Sequence, residues 1–314
     1  MTDRKRKALV SLLEDPDEKI YLVIKQVIKA ERERIEPMLQ EALKESLRGS
    51  KYFERIASIL HEIHIDRVKR NLKDWKMSSE KDLLKALVTL SNLQQPSLNL
   101  EQIEVAIETI KRDVWLELND YQTAFEQVKI FNYVFFEVHR FEVLPSAQVA
   151  LKHLNVAHVL ETKQGNPLVI GLLYSIIAHR LQLPIYGIDF PGVFILAWMD
   201  EKQVAIEVEM LNEYGVLFYI NPAGKGIIFD DQQIHAFLKE IEVEPNRRYF
   251  EPTSNTGLIH RYVKACEDSC KFQGDLPFWR ICLKLNRRFK LGLIGKLSTG
   301  RINVLSSASS NIHN

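Results

Sequence analysis

Residues 159–197 read VLETKQGNPLVIGLLYSIIAHRLQLPIYGIDFPGVFILA, and the architecture of the chain turns on this stretch. Gly165-Asn166-Pro167 closes one segment and opens a helix. Asn166 can cap that helix, and Pro167 suits its first turn, where a missing N–H costs nothing. Over 168–181 the residues Leu168, Val169, Ile170, Leu172, Leu173, Ile176, Ile177 and Leu181 leave almost no polar face. Such a helix must be buried on most sides. Pro184 marks its end. Two apolar runs follow, 185–190 and 193–198, separated by Pro191-Gly192. The run 204–209 alternates with period two, and 216–220 and 227–229 complete a set of short strands. Short connections predict an antiparallel sheet. A buried central helix followed by such a sheet is an α+β arrangement.

Upstream, the pattern is helical. Leu22, Val23, Val27 and Ile28 recur at helical spacing, and Asp15-Pro16-Asp17-Glu18 reads as a start signal with Asp15 as cap and Glu18 closing a box. A second helix is expected over 37–47, then others over 52–75, 80–93, 100–119 and 122–136. Downstream of Pro252, 256–272 and 276–289 read as a helical hairpin about Gly274-Asp275. The expected organisation is therefore a helical pair over 1–50, a core over 51–252 (helical to 164, buried helix and sheet over 165–230), a hairpin over 253–297 and a disordered Ser- and Asn-rich tail over 298–314.

The 314 residues are 46% apolar and 26% charged, the composition of a soluble globular protein. A net charge of +1 gives no reason to expect a nucleic-acid partner. No segment has the form of a secretory signal, and the longest apolar block, 168–178, falls short of the ~20 residues a membrane span needs. Three cysteines, Cys266, Cys270 and Cys282, are too few and too clustered for a disulfide framework. The cytoplasm is the expected compartment.

The quoted stretch resembles the bacterial transglutaminase-like family typified by the invasion regulator SirB. The matching residues are Val159-Leu160-Glu161, Lys163, Gly165, Pro167-Leu168, Ala178, Arg180-Leu181, Leu183-Pro184, Gly187-Ile188, Phe190-Pro191-Gly192 and Phe194-Ile195-Leu196. Looser similarity extends over 52–229. The first helices resemble a HEAT-type pair and the last hairpin a TPR-type tail. The resemblance implies a papain-like core. In active members of the wider superfamily a Cys stands at the start of the buried helix, a His follows on the strands, and an Asp or Asn orients it. A helix N-terminus lowers the thiol pKa, and the His takes its proton. Here the matching positions hold Val169, Val193 and Asn221, and 165–171 contains no Cys, Ser or Thr. A valine can neither attack a carbonyl nor carry a proton.

The reading this supports is a catalytically degenerate transglutaminase-like protein that binds or regulates another protein, with no cofactor or metal implied. The alternative is a hydrolase or protease-like enzyme using other residues of the same cleft, such as Glu161 or Asp189. Glu161, Lys163, Gly165, Asn166, Pro167, Pro191 and Gly192 are the candidate cleft or binding residues. Glu161 and Lys163 could equally form a local salt bridge, and capping alone accounts for Asn166. His61-Glu62-Ile63-His64 is one residue short of a zinc helix. Between 271 and 301 eight Lys or Arg face one acid, Asp275. Arg280, Lys284, Arg287 and Arg288 form a candidate basic patch there, or a merely solvated helix face.

Overall fold

The computed structural model describes residues 1–96, 98–145, 149–200, 214–275 and 278–287. Two compact units divide the chain, 1–74 and 75 onward. The first contains α1 (Asp3–Ser11), a 3-10 turn (Leu12–Glu14), α2 (Glu18–Ala30), α3 (Arg32–Glu45) and most of α4 (Lys51–Met77). Leu13, Ile28, Ile35, Leu39, Ile56 and Ile59 are its fully buried centre.

Asp17, not Asp15, caps α2, accepting from the Lys19 N–H at 2.8 Å. Asp15 instead accepts from the Asp17 N–H, so the Asp-Pro-Asp run is a turn before the helix. Glu18 closes no box; its carboxylate takes the Arg55 guanidinium at 2.8 Å. Buried Arg55 also donates to the Leu13 and Asp15 carbonyls, satisfying the end of the 3-10 turn. The next helix begins at Arg32 and carries Pro37 inside it. Burial of Ile35 and Leu39 holds that segment helical despite the lost N–H. The helix α1 was not expected from the sequence; only Arg6 and Val10 on it are buried.

The second unit opens with α5 (Leu83–Ser91), α6 (Leu100–Glu117) and α7 (Ala124–Asn132), which runs into a π-helical turn (Tyr133–Val138). Then come β1 (Glu142–Val143), α8 (Val156–Thr162), β2 (Gln164–Gly165) and α9 (Pro167–Arg180). The sheet follows as β3 (Ile185–Ile188), β4 (Ile195–Met199), β5 (Val216–Asn221) and β6 (Ile227–Phe229). Its order is β3-β4-β5-β6, every pair antiparallel, with Gly187 opposite Leu196 and Ile220 opposite Ile228. α10 (Asp231–Glu240) and α11 (Asn255–Gln273) follow, and 278–287 form a further helix, α12. The fold is α+β, as the sequence predicts. The expected strand 204–209 and the tail 298–314 lie outside the described residues.

The centre is α9, buried without a break from Leu168 to Ala178. It packs against α5, α6, α8, β3 and β4. Its two buried polar side chains are both satisfied, as burial demands. Ser175 donates to the Ile185 carbonyl at 3.0 Å, and Tyr174 donates to Asn132 Oδ1 at 2.9 Å. Asn132 then donates to the Gly226 carbonyl at 2.8 Å. Gly226 sits at φ +77°, and a Cβ there would lie 2.0 Å from the Asn132 amide oxygen. Around Tyr174 the rings of Phe131, Phe135, Phe136 and Phe141 interlock, with Phe135 stacked on Phe141 at 4.2 Å. Among the described residues, six non-glycine positions hold left-handed backbone: Lys81, Arg140, Lys163, Gln182, Lys225 and Glu242.

Candidate functional site

The head of α9 is built by local rules. Asn166 accepts from the Leu168 N–H at 2.7 Å, and Pro167 occupies the first helical position. Gly165 lies so close to Val159 that a Cβ would stand 3.0 Å from its methyls. Facing this helix end is the β3–β4 turn, with Gly192 at φ +75°. That turn is clamped from α11. Arg261, its side chain 19% exposed, donates to Asp189 Oδ1 at 2.7 Å and to the Phe190 and Val193 carbonyls at 2.8 Å each. Its guanidinium carbon also stands 5.5 Å from the Phe194 ring centre. Burial pulls the Arg261 pKa down and Asp189 pushes it back; a guanidinium stays charged throughout.

Between these elements opens a cleft of about 710 Å³. Its apolar side includes Leu168, Phe190 and Tyr249, and its polar side includes Arg248, Lys264 and Asp268. His260 and Ser269 also line it. The His260 ring nitrogen Nε2 pairs with Asn286 Oδ1 at 2.7 Å, and Ser269 accepts from Gln273 at 3.3 Å.

Deeper, three elements converge on Gly171 of α9. The Phe194 ring, just before β4, would stand 2.4 Å from a Cβ there, and Pro222, just after β5, would stand 3.2 Å from it. The first turns of the buried helix, the beginning of one strand and the end of another thus meet at one point. The sequence matches the model of the transglutaminase-like superfamily over residues 101–264. The chain belongs to the transglutaminase-like superfamily.

It is similar to a UPF0162 protein of Vibrio cholerae serotype O1, 22% identical over 125 residues, which are 39% of this chain and 46% of that protein. The chain thus spans less than half the length of that curated relative. No solved structure matches it.

Within this transglutaminase-like core, the matched triad positions have different surroundings. Val169 is wholly buried inside α9. Val193 is partly buried against the cluster that includes Ile188, Ile195 and, from α10, Ile234 and Leu238. Asn221 caps the 3-10 turn after β5, accepting from the Ala223 N–H at 3.0 Å. None of the three lines the cleft, and the space at the meeting point is filled by Phe194 and Pro222.

Of the other residues singled out from sequence, Asn166, Pro167, Pro191 and Gly192 line the one cleft. Glu161, Lys163 and Gly165 do not. Glu161 is exposed on α8. Lys163 forms no pair with it; the Lys163 ammonium lies 4.8 Å over the Phe141 ring, and burial lowers its pKa. Arg280, Lys284 and Arg287 are exposed along α12, at helical spacing, while Arg288 lies outside the described residues. Glu62 of the zinc-like run is held by Lys25 and Lys29. Among the described residues no group of three His, Cys, Asp or Glu is placed to hold a metal. Sequence reasoning missed Arg261 entirely. Two of its three partner groups are backbone carbonyls, which leave no trace in side-chain pattern.

Proposed function

We propose that this chain is a transglutaminase-like protein of the SirB type that has no acyl-transfer chemistry and serves as a binding or regulatory module. A segment of another protein occupies the cleft at the head of α9. The observation that carries this reading is the filling at Gly171. Leu168, Val169 and Ile170 offer no nucleophile, and Phe194 and Pro222 fill the space beside the next residue of the helix, Gly171. The cleft's mixed apolar and charged walls suit a peptide segment. The HEAT-like first helices and the TPR-like last hairpin give such a module further surface. The hydrolase alternative draws less support, since Asp189 is held by Arg261 and Glu161 stands outside the cleft.

Two measurements test this. Purified protein incubated with a glutamine-containing peptide and an amine should give neither cross-linked nor hydrolysed product above the protein-free rate. A photo-cross-linking residue at Lys264 or Phe272 should trap one discrete protein adduct in cells, and none when placed at Glu161. Turnover that His260→Ala abolishes would overturn the reading in favour of an enzyme.

A further inference from the structure

The chain has three cysteines in 314 residues, and all three are buried together where α11 meets α12. Cys266 and Cys270, four residues apart, share one face of α11. Cys282 faces them from α12. The Cys270 and Cys282 thiols are hydrogen-bonded to each other. Cys266 interacts with both and is bonded to the Tyr262 hydroxyl. The helices are pinned beside this cluster by Asn286, which donates to Glu267 at 2.6 Å and pairs with His260. A single buried cysteine is an ordinary small apolar side chain. Asn286 sets a register that puts Cys282, one turn before it, beside Cys270, about one turn after Glu267, and two buried thiols on adjoining helices can close to a disulfide when the local backbone brings them to bonding geometry.

We propose that Cys270 and Cys282 form a reversible redox-modification site, closed to a disulfide by a peroxide-class oxidant, which ties α12 to α11. This does not depend on the function proposed above. The Cys270 thiolate attacks one peroxide oxygen: an S–O bond forms, the O–O bond breaks, and the departing hydroxide leaves as water with a proton. The Cys282 sulfur then attacks the Cys270 sulfur; the S–S bond forms, the S–O bond breaks, and a second water carries off the Cys282 proton. Two thiols lose two electrons in total, and one peroxide becomes two waters.

The order of events follows from the local chemistry. The hydrogen bond from Cys282 favours the Cys270 thiolate, against the opposing effect of burial. The same hydrogen bond, then burial, push Cys282 up. Cys270 is thus the first nucleophile and Cys282 the resolving thiol. Access comes through the last turn of α11, which ends at Gln273 with Gly274 in left-handed backbone. Helix ends open locally at low cost. Phe272 in that turn is 90% exposed, so little packing holds it closed from outside. Ala265, Asp268 and Ser269 of the same helix line the cleft, so the bridge would fix one wall of it.

The test uses the full chain, treated with hydrogen peroxide, quenched, alkylated in denaturant and digested for mass spectrometry. Two of the three thiols should become resistant to alkylation, with a mass lower by two hydrogens and a Cys270–Cys282 linked peptide that dithiothreitol removes. Cys266→Ser should keep the linked peptide, whereas Cys270→Ser or Cys282→Ser should lose it. The linked peptide from the unaltered chain decides the question even if a variant fails to fold. Three alkylatable thiols after treatment, a bridge involving Cys266, or over-oxidation of Cys270 without a bridge would each overturn the proposal.

Discussion

In the 1–74 unit, charge joins the helices. Arg6 reaches Glu31 at 3.3 Å, Lys25 and Lys29 share Glu62 at 2.5 and 2.9 Å, Arg55 takes Glu18, Arg67 pairs with Glu36, and Arg70 reaches Glu33 at 3.6 Å. The central helix of the second unit has an ion pair only at its end, from Arg180 to Glu108 at 2.7 Å and to Glu104 at 3.5 Å. Its buried length is held by shape: glycine at the closest approach, interlocked rings, and one relay from Tyr174 to Gly226. The first unit can therefore lose individual contacts gradually, because partly exposed ion pairs contribute little each. The second has sites where one added carbon cannot be accommodated.

The sharpest way to break this contrast is Gly171→Ala. Its methyl would meet the buried Phe194 ring at 2.4 Å, so the ring must shift. A loss of about 3 kcal/mol is expected in urea unfolding, and combining it with Phe194→Leu should cost less than the sum. A cost under about 1 kcal/mol would mean the Gly171 contact is soft. Next in size is Arg55→Met in the first unit. It leaves the Leu13 and Asp15 carbonyls unpaired, an expected loss of about 2 kcal/mol. Hydrogen exchange should show that loss at amides within 1–74. Tyr174→Phe removes one hydrogen bond while keeping the ring, so about 1 kcal/mol is expected from the same unfolding curves.

The smallest effect is one of pH, and it separates the units by onset. Burial holds the His139 imidazole below its ordinary 6.5, although Asp113 opposes this. The folded form then binds the proton less well than the unfolded form, so stability is complete above 6.5 and falls as pH drops toward the depressed value. His139→Phe should flatten that fall. In the first unit, Glu62 is raised by burial but lowered further by Lys25 and Lys29, ending below its ordinary 4.5. Its contribution is present above 4.5 and is lost only as pH falls through the lower folded value. Opening free energies from hydrogen exchange, corrected for the intrinsic pH dependence of amide exchange, should therefore stay constant over 1–74 between pH 6.5 and 5 while those near His139 fall.

The sequence was most informative where one local rule acts alone. Asn166 and Pro167 gave the start of α9, and its unbroken apolar run gave its burial. The strands 185–190, 193–198, 216–220 and 227–229 came from short apolar runs between turn residues. Readings failed where two rules competed. Asp15 and Asp17 are both good caps, and only the Arg55 contact, distant in sequence, takes Glu18 away from the first. Pro37 reads as a helix start until the burial of Ile35 and Leu39 is known. The helix α10 was missed although Asp230 and Gln233 form a capping box visible in the sequence. The cleft was half legible. Its floor follows from Asn166-Pro167 and Pro191-Gly192, but its α11 wall depends on tertiary contacts that no spacing encodes.

The left-handed positions at Lys81, Arg140, Lys163, Gln182, Lys225 and Glu242 bear on a state the folded structure does not contain. Glycine would occupy each without strain, yet the chain has only 13 glycines. A side chain at such a position strains the native backbone, and it also removes conformations from the denatured chain. Part of this protein's stability is thus set by how little freedom unfolding returns to it. A comparison with a glycine-richer relative would find that difference in the denatured ensemble, with every native contact unchanged.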